Sequence, residues 1–287
     1  MVKVKSLTLK SPAYPDNLAS IADPPQKLYY LGEPPKNWIK RPKVAVVGAR
    51  KMTAYGREVT TKLVGELTRY DVVIISGLAL GIDSVAHAAC LEKGGTTIAV
   101  LPTGLDKIYP ASHRNLAIQV LKNKGTLLSE YAHGSPAYKL NFVARNRIVS
   151  GLADVLLITE ASAGSGTMHT ATFALEQGRT VMAVPGNINS TSSQGTNNLI
   201  KSGAVPVTEV QDILLALNIN SAAPPKRALR GSPDEVALMQ AIVDGKHSQE
   251  ELAIHLKMDA AKLSFILTSL EISGHIRPDG GGRWSLT

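Results

Sequence analysis

The chain has 287 residues, 44% of them hydrophobic and 19% charged, the composition of a globular protein with a substantial core and not of a disordered one. No apolar run approaches the ~20 residues of a membrane-spanning helix, no signal peptide follows Met1, and the single cysteine, Cys90, permits no internal disulfide, so a reducing, cytoplasmic setting is expected. The net charge of +8 is carried by residues 1–224, with 23 basic and 15 acidic side chains, whereas residues 231–287 have five and eight; a polyanionic partner is expected on the larger part. Residues 1–40 form a lead-in punctuated by Tyr14-Pro15, Pro24-Pro25 and Pro34-Pro35, with a strand at Leu28–Leu31. From 41 to 220, strands are expected at 43–47, 72–76, 96–101, 126–129, 155–159 and 180–184, and helices centred near 62, 88, 117, 147, 172 and 213. Val- and Ile-rich runs alternating with helices predict a doubly wound α/β domain with a parallel sheet. Cys90 falls in a helical stretch and reads as a small buried apolar residue.

Residues 221–232 form a polar, Pro-bearing linker. Beyond it, 233–287 predict a second, smaller domain. Ser232-Pro233-Asp234-Glu235 opens one helix, Ser248-Gln-Glu-Glu251 is a capping box for a second, and Asp259 caps a third. Two short strands around Gly280-Gly281-Gly282 complete a winged helix-turn-helix. The outward face of its third helix offers Lys262, Ser264, Thr268 and Glu271, with only one cation. A protein-contact role or weak DNA binding therefore suits this module better than groove reading.

Three strand ends in the larger domain break into glycine-bearing loops that open helices: Gly48-Ala-Arg50, Ser76-Gly77-Leu-Ala-Leu-Gly81, and Gly164-Ser165-Gly166-Thr167. In a doubly wound sheet such loops converge on one crevice, where backbone amides and helix N-termini attract anions. The dinucleotide fingerprint is broken after Gly48, Ser76 stands where an acid would hold a ribose, and no P-loop occurs. The seven histidines have no metal-ligand spacing, and no metal or cofactor is expected. Asp83 and His87, at i and i+4, read as a helical hydrogen bond, and no nucleophilic triad or carboxylate pair can be assembled. What remains is cations and amides: Arg50, the Gly77–Gly81 loop, Lys139, Arg145, Arg147, the Gly164–Thr167 loop and Lys201. The stretch Lys139-Leu-Asn-Phe142-Val-Ala-Arg145-Asn146-Arg147 sets an aromatic among charges, an arrangement that suits a single strand. Phe142 also reads as core, and Arg145 and Arg147 as partners of Glu130 or Asp154 that hold the fold.

These motifs resemble the DNA-processing protein A (DprA, Smf) family. The resemblance rests on Gly48-Ala-Arg50, Ser76-Gly77-Leu-Ala-x-Gly81-Ile-Asp83-x-x-Ala86-His87, Gly104-Leu-Asp-x-x-Tyr109-Pro110 and Leu128-Ser-Glu130-Tyr. Further along, it rests on Phe142-x-x-Arg145-Asn-Arg147-Ile, Ser165-Gly-Thr167, Ala183-Val-Pro185-Gly186 and Gly195-Thr-x-x-Leu-Ile-x-x-Gly203-Ala. It spans residues 12–215, and the tail resembles the family's C-terminal module. The resemblance implies a Rossmann-like domain in a non-enzymatic, dimeric protein that binds single-stranded DNA, protects it, and promotes loading of the recombinase RecA during natural transformation. Carried over by position, it implies a binding site of Gly48, Arg50, Ser76, Gly77, Gly81, Lys139, Phe142, Arg145, Asn146 and Arg147, with Gly164, Ser165, Gly166, Thr167 and Lys201. Leu80 stands where many members have Arg, which removes one phosphate contact, and His169 has no role in the family pattern. Many members also carry a helical domain before the lead-in, for which this chain leaves no room. The alternative is a nucleotide phosphoribohydrolase of the lysine decarboxylase-like group, whose motif places a catalytic Glu where this chain has Thr170. A sequence-specific regulator acting through the winged tail ranks third.

Overall fold

A computed structural model describes residues 4–220 and 232–286; the expected linker at 221–232 lies almost wholly outside the described residues. The chain divides into two compact units with the boundary at residues 226 and 227. In the first, β1 (Lys5–Thr8), α1 (Asp16–Ala19) and β2 (Lys27–Gly32) come from the lead-in. Then β3 (Lys43–Val47), α2 (Ala54–Leu67), β4 (Val73–Ser76), α3 (Ile82–Glu92) and β5 (Thr97–Val100) alternate. They are followed by α4 (Arg114–Lys122), β6 (Thr126–Ser129), α5 (Lys139–Leu152), β7 (Val155–Ile158) and α6 (Thr167–Glu176). The unit closes with β8 (Thr180–Ala183), α7 (Gln194–Lys201), β9 (Val205–Pro206) and α8 (Val210–Ala216).

All nine strands join one sheet in the order β1-β2-β6-β5-β4-β3-β7-β8-β9. From β6 to β9 every pair is parallel. The sheet is mixed, however, because β1 and β2 add antiparallel at the β6 edge. The lead-in is thus a sheet extension, where the sequence suggested one strand and an all-parallel sheet. Trp38 fastens the segment that follows β2: it is fully buried, and its indole N–H donates to Thr126 Oγ1 at 3.1 Å. The central strands read as uninterrupted apolar runs because both faces are covered. Leu18, Ile148, Leu152 and Ala171 cover one face, and Leu63, Leu67, Ala86 and Ile213 the other. The chain runs outward from β3 through β4 and β5 to β6, then returns to the opposite side of β3 with β7. Strand order therefore reverses between β3 and β7, the position where loops at the carboxyl ends of strands part to leave a crevice.

The second unit contains α9 (Pro233–Val243), α10 (Gln249–Leu256), α11 (Ala260–Ile272) and the hairpin β10 (Ile276–Gly280)–β11 (Arg283–Leu286). Ser232–Glu235 and Ser248–Glu251 each form a reciprocal capping box, and Asp259 accepts from the Lys262 N–H at 2.7 Å. Leu238, Leu252, Leu263, Leu267 and Leu270 build a core belonging to this unit alone. Among the described residues, no helix is long and apolar enough to cross a membrane.

Candidate nucleic-acid interface

At the switch point lies a cavity of about 370 Å³, walled by the loop after β3, the start of α3, one face of α5 and the first turn of α6. Its construction begins with glycines that the fold itself demands. Gly81 has a φ of +80°, and a Cβ there would collide with the Ala49 carbonyl oxygen. The Ile82 N–H donates to that carbonyl at 3.1 Å, while the Ala49 N–H donates to the Glu160 carbonyl at 2.7 Å. Loops after three different strands are thereby stitched together. A Cβ at Gly77 would strike the Arg145 guanidinium.

That guanidinium is the central brace. Arg145 is fully enclosed apart from 4% of its surface and donates to the carbonyls of Gly77 and Val100. The Asp83 carboxylate accepts from the Gly77 N–H at 3.0 Å and from the Ala79 N–H at 3.4 Å. Burial pulls Arg145 down to about 10; the nearby Asp83 charge opposes that effect and Arg50 adds to it. Arg145 is still a cation at neutral pH, with its charge spent mainly inside the protein. Asp83 is pushed up by burial, against Arg145 and the loop amides. It is the carboxyl group on the cavity wall, and it serves as a loop anchor.

The opposite wall is open. The Arg50 guanidinium lies over the Phe142 ring at 5.7 Å, and Tyr109 meets the same ring edge-on at 5.1 Å and 76°. Ser165, Gly166 and Thr167 lead into α6 across from Phe142. Thr167 Oγ1 donates to the Gly48 carbonyl at 3.0 Å, locking this helix start to the first loop. Gly164 and Gly166 differ from Gly48, Gly77 and Gly81: a Cβ on either would meet nothing within 4 Å. Gly166 has an ordinary helical φ of −58°. The fold does not require glycine there, and the start of the helix is left uncrowded.

The structure brings together Gly48, Arg50, Phe142, Arg145, Asn146, Ser165, Gly166 and Thr167 on the cavity wall. It does not bring the other expected residues to the same place. Arg147 faces away, paired through two bonds of 2.8 Å with Glu130 and at 2.9 Å with Asp23, so it ties α5 to β6 and the lead-in. Residues 145 and 147 are two apart on a helix and cannot share a face. Ser76 is buried and donates to the Val46 carbonyl at 2.6 Å, a strand-to-strand tie. Lys139 is exposed at the first turn of α5, and Lys201 ends α7; neither lines the cavity. Gly77 and Gly81 shape its floor from beneath. Asp83 and His87 do not pair. Thr97 Oγ1 donates to the Ile74 carbonyl, so it accepts from His87 Nδ1 at 2.7 Å, which sets the imidazole tautomer. Burial, with His113 and Arg145 adding to it, drives His87 down to about 3 and keeps it neutral.

Besides Val47, Ala79, Asp83 and Val143, two wall residues of α6 escaped the sequence reading as contacts: His169 and Thr170. Their signal was their place in the first turn of α6, two and three residues past Thr167, where side chains flank any ligand at the helix start. Among the described residues, no cluster of three His, Cys, Asp or Glu side chains could hold a metal ion.

Residues 5–218 match the model of the family described as DNA recombination-mediator protein A. The chain belongs to that family. Residues 220–282 match the DprA winged helix domain. The DNA processing protein DprA of Streptococcus pneumoniae is 42% identical over 212 residues, covering 74% of each chain. Escherichia coli Smf is 43% identical over 201 residues, 70% of this chain and 53% of Smf, so this chain spans about half of that relative. The S. pneumoniae crystal structure superimposes with a TM-score of 0.70 at 41% identity, covering 74% of each chain. A Helicobacter pylori DNA processing protein A, described as having a unique single-stranded DNA binding mode, gives 0.67 at 34% identity, covering 76% of this chain and 96% of that one.

Proposed function

We propose that this protein binds single-stranded DNA at the switch-point cavity without chemical turnover. The observation that carries the reading is the Arg50–Phe142 stack facing the open Gly164–Thr167 loop. A cation and an aromatic face stand on one side, and an uncrowded helix start on the other. Bases of a single strand can stack while phosphates are neutralised, whereas paired bases in a duplex have no free face to offer. The single-stranded DNA binding mode described for the H. pylori relative supports the same reading.

Within the cell, the protein acts in the cytoplasm as a homodimer that protects incoming DNA and hands it to RecA during natural transformation. The mediator family supports that role, since a mediator must hold the strand a recombinase will take. The phosphoribohydrolase alternative lacks its agent. Thr170 occupies the position of the required Glu, and the nearby carboxyl, Asp83, is braced by backbone amides.

Fluorescence anisotropy with single-stranded and duplex oligonucleotides across a salt series tests the reading. Tighter single-strand binding is expected, with log affinity falling by roughly 0.7 per log unit of salt for each phosphate contacted. Incubation with nucleoside monophosphates should release no free base; release would favour the enzyme. RecA filament formation on strands coated with single-strand-binding protein should accelerate, and light scattering should give twice the monomer mass.

A further inference from the structure

A second, larger cavity of about 610 Å³ opens at the same edge of the sheet, between the start of α2 and the loop after β8. From α2 it is lined by Thr53 and Tyr55, and from the loop by Asn187, Ser190, Ser192 and Ser193. Every lining side chain is uncharged, in contrast to the Arg-bearing cavity at the switch point. Glu160 separates the two. Its carbonyl holds Ala49 beside the first cavity, and its buried carboxylate accepts from the Thr53 N–H at 3.0 Å and from the Thr53 hydroxyl. That carboxylate therefore fixes Thr53, the N-cap of α2 and a lining residue of the second cavity. With no cation on its wall, the cavity suits a neutral, flat, hydrogen-bonding group better than a phosphate.

The rim suits such a group. The Tyr55 hydroxyl donates to the Pro185 carbonyl at 2.7 Å, holding across the mouth a residue that is 46% exposed. Ile188, between lining residues of the loop, is 85% exposed. Serine hydroxyls supply donors and acceptors inside, with Ser190 and Ser192 joined at 2.8 Å. The volume lies in the range of small-ligand pockets.

We infer that this cavity is a base-binding subsite for the same DNA strand, taking a nucleobase stacked on Tyr55 while the first cavity holds a neighbouring phosphate. The inference rests on the single-strand reading above. Both cavities lie at the carboxyl ends of strands β3, β7 and β8, which are adjacent in the sheet, so one strand crossing Glu160 reaches both.

The test uses oligo-dT of increasing length with the full chain, and the variants Tyr55→Ala, Tyr55→Phe and Ser192→Phe, which fills the cavity. Tyr55→Ala and Ser192→Phe should weaken binding of long oligonucleotides about tenfold and leave the shortest bound length unchanged. Tyr55→Phe, which keeps the ring but loses its tie to Pro185, should bind better than Tyr55→Ala and no better than the parent. Oligonucleotides carrying 4-thiothymine should photocrosslink to Tyr55 or to residues 185–193. Parent-like binding by all variants at every length, without crosslinks there, overturns the subsite and leaves the first cavity standing. Equal loss at every length also overturns it, since a separate subsite cannot affect the shortest strand. Failure of the unaltered protein to bind any oligonucleotide overturns the single-strand reading itself.

Discussion

Two glycine loops face each other across the switch-point cavity, and the protein uses them in opposite ways. In the Gly77–Gly81 loop both glycines and Leu78 are committed to the fold. Leu78 is fully buried at a φ of +57°, an unfavourable region for a residue with a side chain. Gly81 abuts the Ala49 carbonyl, Gly77 abuts Arg145, and His113 bonds the Leu78 carbonyl at 2.8 Å. The Gly164–Thr167 loop has open space over both glycines. Sequence motifs of equal prominence thus carry different loads: one loop stores the geometry, and the other leaves room for a ligand. Substitutions that separate stability from binding can break or sharpen this contrast.

The largest effect is expected in the locked loop. Arg145→Ala strands the buried Asp83 carboxylate and leaves two carbonyls without their donor, a loss of about 3–5 kcal/mol. Gly77→Ala forces a Cβ into the same guanidinium and should also destabilise. Chemical denaturation should show both variants severely weakened or unfolded. If Arg145→Ala keeps the parent midpoint and loses only DNA binding, Arg145 is a phosphate ligand and the locked description fails.

The same buried network makes the fold sensitive to acid. His87 is held at about 3 by burial, so between pH 6.5 and 3 the unfolded chain binds a proton that the folded chain does not. Stability must fall as pH falls through that window, by at most about 1.4 kcal/mol per unit. Asp83, raised by burial, acts in the opposite sense above about pH 4, so comparison with a variant isolates the imidazole. Denaturation midpoints at pH 5 and 7 should differ less in His87→Gln than in the parent. An unchanged difference would mean that the imidazole is not the source.

On the open side the order reverses, with binding lost and stability kept. Arg50→Ala should weaken single-strand binding and lower the salt slope by roughly 0.7, with an unchanged melting temperature. Arg147→Ala, which breaks the Glu130 and Asp23 pairs, should lower the melting temperature and leave the salt slope alone. Gly166→Ala is the sharpest probe. Its φ of −58° suits alanine, so stability should hold or rise by about 0.4–1 kcal/mol, while the added methyl obstructs the strand and affinity falls several-fold. Unchanged affinity would show that no ligand approaches Gly166.

Much of this was legible in the chain. The parallel strands announced themselves as apolar runs because both faces are buried; all six helices expected beyond the lead-in are present, and four of them (α2, α3, α5 and α6) carry or follow the residues that line the cavity. Strand β1 was invisible: Lys5-Ser-Leu-Thr is nearly all exposed and is ordered by pairing with β2. Helix α7 was missed because Gln194-Gly-Thr-Asn-Asn has poor helical propensity; the Gly195 N–H is anchored on the Ala161 carbonyl at 2.8 Å. In the site, the residue types were legible but their directions were not. Arg145 and Arg147 look alike in sequence, and only the α5 backbone decides that one faces the cavity and the other faces Glu130. The second cavity left only a trace: Pro185-Gly186 belongs to the family pattern, but the asparagine and serines that follow read as an ordinary loop.

The smallest effect is expected from the winged unit, which extends the contrast between committed and available surfaces. Its core of Leu238, Leu252, Leu263, Leu267 and Leu270 is separate from the clusters that pack on the sheet. Residues 231–287 carry five basic and eight acidic side chains, so they add no attraction for phosphates. A chain ending at residue 220 retains every residue lining both cavities. It should unfold cooperatively and bind single-stranded oligonucleotides within about twofold of the full chain, with the same salt slope, because cations along the groove set that slope. Loss of most single-strand affinity from a shortened protein with an intact circular dichroism spectrum would move the binding site to the winged unit. Retained affinity leaves that unit free for a different partner. Phe265 and Ile272 on α11 are largely exposed, an apolar face better suited to protein than to phosphate.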